Sequence, residues 1–219
     1  MATKSQTKKI TDDAIIAMYM EYVLEHETVP RSIYKFCKSN KITEEDFYNF
    51  FGSIEGIQVA VWEKFYTNTK AIMNSNVAYA SFSNKDKMLT FFFSMFELLT
   101  MNRSYVLFAL HEHKNILKNL SQLKGLRTYI KAFAADLIEE GNADKNYKLT
   151  KKNPKIFSEG AWFQFMFLLK FWMDDSSAGF EKTDLAIEKS VHTVFDVFEN
   201  TPLESLIDFG KFLYKENFA

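Results

Sequence analysis

The feature that most restricts this chain is its shortage of residues that let a backbone turn, with seven glycines and three prolines in 219 residues. Hairpin sheets and strand–helix–strand crossovers need such residues at many of their connections. Few corners over this length favour long helices, so the fold class expected is all-α. The chain also carries 23 phenylalanines, each with a large apolar area that core, partner or ligand must cover. At this length a small head fused to a larger body lies within ordinary domain sizes.

Helical spacing appears early. Ile15, Met18, Tyr19, Tyr22 and Val23 recur every three or four residues between Thr11 and about His26, with Asp12 and Asp13 suited to a first turn. Pro30 suits the start of a second, short helix with Ile33, Phe36 and Cys37 inward. Thr43 followed by Asp46 has the spacing of a helix-start cap, and Phe47, Phe50 and Phe51 supply the apolar side of a third short helix ending at Gly52. Ser53 then caps a long fourth helix with the stripe Ile57, Val61, Phe65 and Ile72, running to about Tyr79. Further helices are expected from Asn84 to Met101, Ser104 to Leu120, Leu123 to Glu140, Lys155 to Met173, Lys182 to Asn200 and onward from Pro202. The polar stretch Gly141 to Asn153 reads as a loop.

The run Phe36-Cys37-Lys38-Ser39-Asn40-Lys41-Ile42-Thr43-Glu44-Glu45-Asp46-Phe47-Tyr48-Asn49-Phe50-Phe51-Gly52-Ser53 resembles the helix-turn-helix signature of the TetR family of repressors. Ile42, Thr43, Phe47, Tyr48, Phe51 and Ser53 stand where that pattern has its small apolar residue, hydroxyl, apolar–tyrosine pair and aromatic-x-Ser run. The resemblance extends from Thr11 to about Phe65. It implies an all-α, TetR-like fold of about nine to ten helices, with a three-helix head over residues 1–53 and a ligand-binding, dimerising body over 54–219, of which 54–79 form the connecting helix. It also implies a cytoplasmic homodimer that represses transcription by binding palindromic double-stranded DNA and responds to an apolar or lipid-like effector, without a cofactor.

In such a head Ser32, Lys41, Thr43, Glu44, Asp46, Tyr48, Asn49 and Ser53 fall on the side that meets DNA. The chain departs from the family there. Glu44, Glu45 and Asp46 occupy the start of the recognition helix, and Ile54 stands where a phosphate-binding lysine is common. Residues 1 to 65 hold eight basic and ten acidic side chains, whereas a phosphate-binding face ordinarily has excess cations. Arg31, Lys35, Lys38 and Lys41, with Lys4, Lys8 and Lys9, are the local basic supply. A second reading follows, in which a TetR-type fold keeps a degenerate head, does not bind DNA and holds a lipid or isoprenoid.

Phe91, Phe92, Phe93, Met95, Phe96, Tyr105, Phe108 and Leu110 lie in the middle helices, where the family places its ligand cavity. From these and the later Trp162, Phe165 and Met166, the pocket expected comprises Phe92, Phe96, Tyr105, Phe108, Trp162, Phe165 and Met166; such stripes also serve as plain core. The last paired helices suggest a four-helix dimer interface with Phe163, Phe167, Trp172, Ile187, Val191, Val194 and Phe198.

Other chemistry finds no support. His111 and His113 are two apart and point to different faces of a helix, which suits no shared metal ion. Gly-rich phosphate loops, a Gly-x-Ser-x-Gly elbow, paired-cysteine motifs and Glu-x-x-His pairs are missing from the sequence, so no enzyme is expected. Cys37 is the single cysteine, and no disulfide can form within the chain. The most apolar stretch, Ala161 to Met173, is broken by Gln164 and Lys170 and is shorter than the roughly 20 residues a membrane span takes, so none is expected.

Overall fold

A computed structural model describes residues 10–114, 116–143 and 152–200 of the chain. Among them are ten α-helices and no strand. The helices are α1 (Asp12–His26), α2 (Ile33–Ser39), α3 (Glu44–Tyr48), α4 (Ile54–Ser75), α5 (Asn84–Met101), α6 (Arg103–His111), α7 (Ile116–Ser121), α8 (Lys124–Ala143), α9 (Pro154–Asp174) and α10 (Glu181–Asn200). Short 3-10 turns follow α4 at Val77–Ser81 and precede α10 at Ala178–Phe180.

Local chemistry explains most boundaries. Thr11 Oγ1 accepts the Ala14 N–H at 3.2 Å and starts α1, and Asn153 with Pro154 opens α9. α2 starts later than the expected Pro30: Ser32 caps it, its Oγ accepting the Lys35 N–H at 3.3 Å. The start of α5 belongs to Ser83, whose Oγ accepts the Asp86 N–H at 3.1 Å. Asn84, the first residue of α5, donates its side-chain amide to the Leu137 carbonyl at 2.5 Å.

Four further expectations need correction. The third helix stops at Tyr48, so Phe50 turns outward, 43% exposed, while Phe51 stays buried. The buried stripe of α4 continues from Phe65 through Thr69 and Met73, not Ile72, which is 43% exposed; i to i+4 spacing is kept by admitting a threonine whose hydroxyl donates to the Phe65 carbonyl at 2.8 Å. α4 ends at Ser75, and the Asn76 side chain accepts the Ala78 N–H at 3.0 Å and starts the 3-10 turn. The single helix expected over Ser104 to Leu120 is two, α6 and α7. The buried Asn119 amide donates to the Leu110 and His113 carbonyls, both at 2.8 Å, and its oxygen accepts the His113 N–H, ending α6 with side-chain partners.

α8 takes in residues 141–143 of the stretch expected to be a loop; most of that stretch, and the helix expected from Pro202, lie outside the described residues.

The chain sorts into two compact units. One comprises the residues up to Ala71 together with Met95–Tyr129. Its interior includes Ile15, Tyr19, Phe36, Phe47, Trp62 and Tyr105, all at most 1% exposed. A buried polar lock joins its helices: Gln122 Oε1 accepts the Trp62 indole N–H at 2.8 Å, and the Gln122 amide donates to the Ala109 and Asn119 carbonyls. The other unit comprises Ile72–Ser94 and the residues from Ile130 onward. Phe91, Phe92, Phe165, Trp172 and Val191 form its interior, each with no measurable exposure. At its rim the buried Lys87 amino group pairs with Glu140 at 2.7 Å. Each large apolar side chain so enclosed contributes roughly 1.5–3 kcal/mol.

Candidate nucleic-acid interface

The first unit contains a helix-turn-helix built from its own local signals. The Asn40 amide donates to the Phe36 carbonyl at 2.9 Å, and the Ile42 N–H donates to the Cys37 carbonyl at 3.1 Å. Between them Lys41 turns the chain through a left-handed conformation with φ 56°. Thr43 and Asp46 then form a reciprocal cap: Thr43 Oγ1 accepts the Asp46 N–H at 3.0 Å, and Asp46 Oδ2 accepts the Thr43 N–H at 3.0 Å. From below, Phe47 meets Phe36 edge-on at 6.2 Å and Phe51 at 6.1 Å, fixing α3 against α2.

Outside, Lys41, Thr43, Glu44, Tyr48 and Asn49 are exposed, and Ser32, Asp46 and Ser53 are half-buried. The motif thus brings these eight residues together around α2, α3 and the start of α4. Their electrostatics are acidic. Hydrogen bonds from the Thr43 side chain and backbone hold the Asp46 carboxyl below the usual carboxylate range. Glu55 folds back on its own N–H and on Ser53, which likewise lowers its carboxyl. Asp12 and Asp13 fill the first turn of α1, and Asp13 pairs with Lys64. The partly positive ends of α1, α3 and α4 therefore already carry the chain's own carboxylates. Burial pushes the Cys37 thiol up, with Glu44 and Asp46 adding to the shift.

In the second unit α9 is apolar around most of its circumference. Its buried side is Phe165, Leu168, Leu169 and Trp172, while Phe163 is 69% and Phe167 56% exposed. On α10, Ile187, Val191 and Phe198 are buried within the unit, Val194 is half-buried, and Leu185 and Val197 are exposed. A family model described as the tetracyclin repressor-like C-terminal domain matches residues 87–213, more than half of the chain. The chain belongs to the TetR family. No curated protein and no solved structure matches it.

Of the residues at which a TetR-type effector is expected, Phe96 and Tyr105 are buried and Phe108 half-buried in the first unit. Phe92 and Phe165 are buried, and Trp162 and Met166 half-buried, in the second. Tyr105 is unusual. Its ring meets Tyr19 edge-on at 6.2 Å, and its hydroxyl is buried beside that of Tyr19. Burial pushes that hydroxyl well above its ordinary pKa, and Tyr19 and then the charge of Glu112 add to the shift. Phe108 borders a recess of about 330 Å³ with Glu27, Val29, His111, Glu112 and His113. His111 makes a 2.8 Å contact with the Leu107 carbonyl, and among the described residues no cluster of three His, Cys, Asp or Glu side chains could hold a metal ion. No helix of the described residues is long and apolar enough to cross a membrane.

A larger groove of about 940 Å³ runs beside the motif in the same unit, where Arg31, Ser32, Tyr48 and Ser53 share its lining with Glu112, Lys118 and Lys124. Sequence reasoning did not connect these last three to the head, because folding alone brings the stretch from the end of α6 through α7 to the start of α8 against the starts of α2 and α4.

Proposed function

We propose that this TetR-family protein is a ligand-responsive transcriptional repressor that binds palindromic DNA as a homodimer, with residues 1–53 as its DNA-binding head and 54–219 as its effector-binding and dimerising body. The observation that carries this reading is α3: five residues, capped at its start, pinned from below by Phe47 and Phe51, with Tyr48 and Asn49 exposed on its outer side. A short, rigidly seated helix with an uncovered polar and aromatic face suits insertion into a major groove, where Thr43, Tyr48 and Asn49 would meet base edges and phosphates.

Two further features support the rest. Phe163 and Phe167 stand one turn apart on α9 and are too exposed to serve their own unit's core, which favours a second copy packed there. Tyr105 supports an apolar effector with one polar atom, since its buried hydroxyl, beside that of Tyr19, keeps hydrogen-bonding capacity that such an atom would use.

A second reading has its own observation. Carboxylates already sit at the starts of α1, α3 and α4, and this favours a head that has left DNA while the body holds a lipid or isoprenoid. A mobility-shift assay with DNA flanking its own gene separates the two. Retardation at low salt that weakens as salt rises, and is lost in Tyr48→Ala/Asn49→Ala, is the result the repressor reading expects. No retardation at low salt overturns it, and solvent extraction of the purified protein for bound lipid then tests the second reading.

A further inference from the structure

A glycine inside a helix is destabilising relative to alanine, so its presence there asks for a steric reason. Two of this chain's helical glycines have one in their own surroundings. A Cβ at Gly125 would collide with the Glu63 carboxylate, and one at Gly141 would lie 2.7 Å from the Asn84 amide. Gly160 has none. It stands well inside the 21-residue α9, its backbone is not among the left-handed positions, and a Cβ there would meet nothing within 4 Å among the described residues. Neither the backbone nor the packing of its own chain calls for the missing side chain.

The neighbours on the same face point outside the chain for that reason. Residues three and four apart share one face of a helix, and at this spacing Gly160 is followed by Phe163 and Phe167, 69% and 56% exposed. Half-buried Ile156 and Phe171 extend the stripe at either end. The opposite face, with Phe165, Leu168, Leu169 and Trp172, is already buried in its own unit. The uncovered face of α9 thus carries a notch and, one and two turns further on, two projecting rings. A surface that holds both hole and knobs is complementary to a copy of itself related by a two-fold axis. The direction of the second helix follows from filling the notch. In a parallel pair each residue faces its own counterpart, which sets glycine against glycine and leaves the space empty, whereas close packing tolerates few such voids. In an antiparallel pair with the axis beside Phe163, Gly160 lies opposite Phe167 of the second copy, and Ile156 lies opposite its Phe171.

We propose that two copies of this chain meet through antiparallel α9 helices, the ring of Phe167 from each seated in the notch at Gly160 of the other and the two Phe163 rings packed together at the axis. This rests on the homodimer reading above and adds to it the register of the contact and the residue that sets it.

Sedimentation equilibrium of the full chain tests this. The dimer dissociation constant should rise at least about thirtyfold in Gly160→Leu, since each dimer overpacks two equivalent notches. Shortening the knob should restore affinity: Gly160→Leu/Phe167→Ala should bind at least about tenfold more tightly than Gly160→Leu, a coupling expected only of residues in contact. Within one chain the sign reverses. In the Phe163→Asp/Phe167→Asp background, adding Gly160→Ala should raise the melting temperature, because the open space accepts the methyl group and alanine is the better helix former. Wild-type affinity in Gly160→Leu overturns the proposal, and so does a melting temperature lowered by Gly160→Ala, which would mean that the glycine serves its own chain. No recovery in the double variant overturns the antiparallel register. A wild type with the mass of one chain at every concentration defeats the homodimer reading itself, an outcome distinct from a wild-type dimer that Gly160→Leu leaves intact.

Discussion

Thr43 and Asp46 show how much one pair of side chains decides. They satisfy each other's backbone N–H, so α3 can exist at five residues. Thr43→Ala should destabilise the protein by about 1 kcal/mol in chemical denaturation. Asp175 plays a similar part before α10. Its two oxygens accept from the N–H and hydroxyl of Ser177 and of Thr183, at 2.7–3.0 Å. The Ser177 side chain is the largest cause of a carboxyl held far below its ordinary value of 3.8. A depressed folded value means stability that is fully present above the unfolded pKa and lost as pH falls through the folded one. Below about pH 4 the melting temperature should therefore fall with added acid, and more shallowly in Asp175→Asn than in the wild type; equal slopes would deny Asp175 this role. The Thr43–Asp46 cap was legible in the sequence because both partners lie within one turn. The Asp175 bonds reach eight residues to Thr183, and no local spacing announces them.

At the level of elements, the hairpin of α2 and α3 follows from signals a few residues long: a hydroxyl at each start, phenylalanines underneath and a left-handed Lys41 between. The division into α6 and α7 does not. Periodicity continues across it, and the break is made by Asn119, which folds back on the Leu110 and His113 backbone. Likewise the stripe of α4 passes through Thr69 because its hydroxyl finds the Phe65 carbonyl, a bond hydropathy does not encode. Gln122 ties α4 to this corner through Trp62. Gln122→Ala would leave the indole N–H and the Ala109 carbonyl buried and unpaired, and should cost roughly 2 kcal/mol in denaturant unfolding. A loss below the error of the extrapolation would mean that other groups take up these partners.

For the molecule as a whole, the two units divide the described residues by contact, while the proposed functions divide them by chemistry: an acidic, capped head and an apolar face on the last two helices. The low glycine and proline content pointed to an all-helical chain and the Phe36–Ser53 run resembled a TetR head, and the matched C-terminal domain agrees with that family. Which faces of α9 would be left uncovered was not readable from composition, since Phe163 and Phe165 differ by two residues yet are 69% and 0% exposed. That uncovered face supplies the central claim, because a palindrome can be read only by a pair of heads. Light scattering on the purified protein tests it most directly. The account predicts the mass of two chains for the wild type and of one folded chain for Phe163→Asp/Phe167→Asp. A wild type with the mass of one chain, or a double variant that keeps the mass of two, would contradict it.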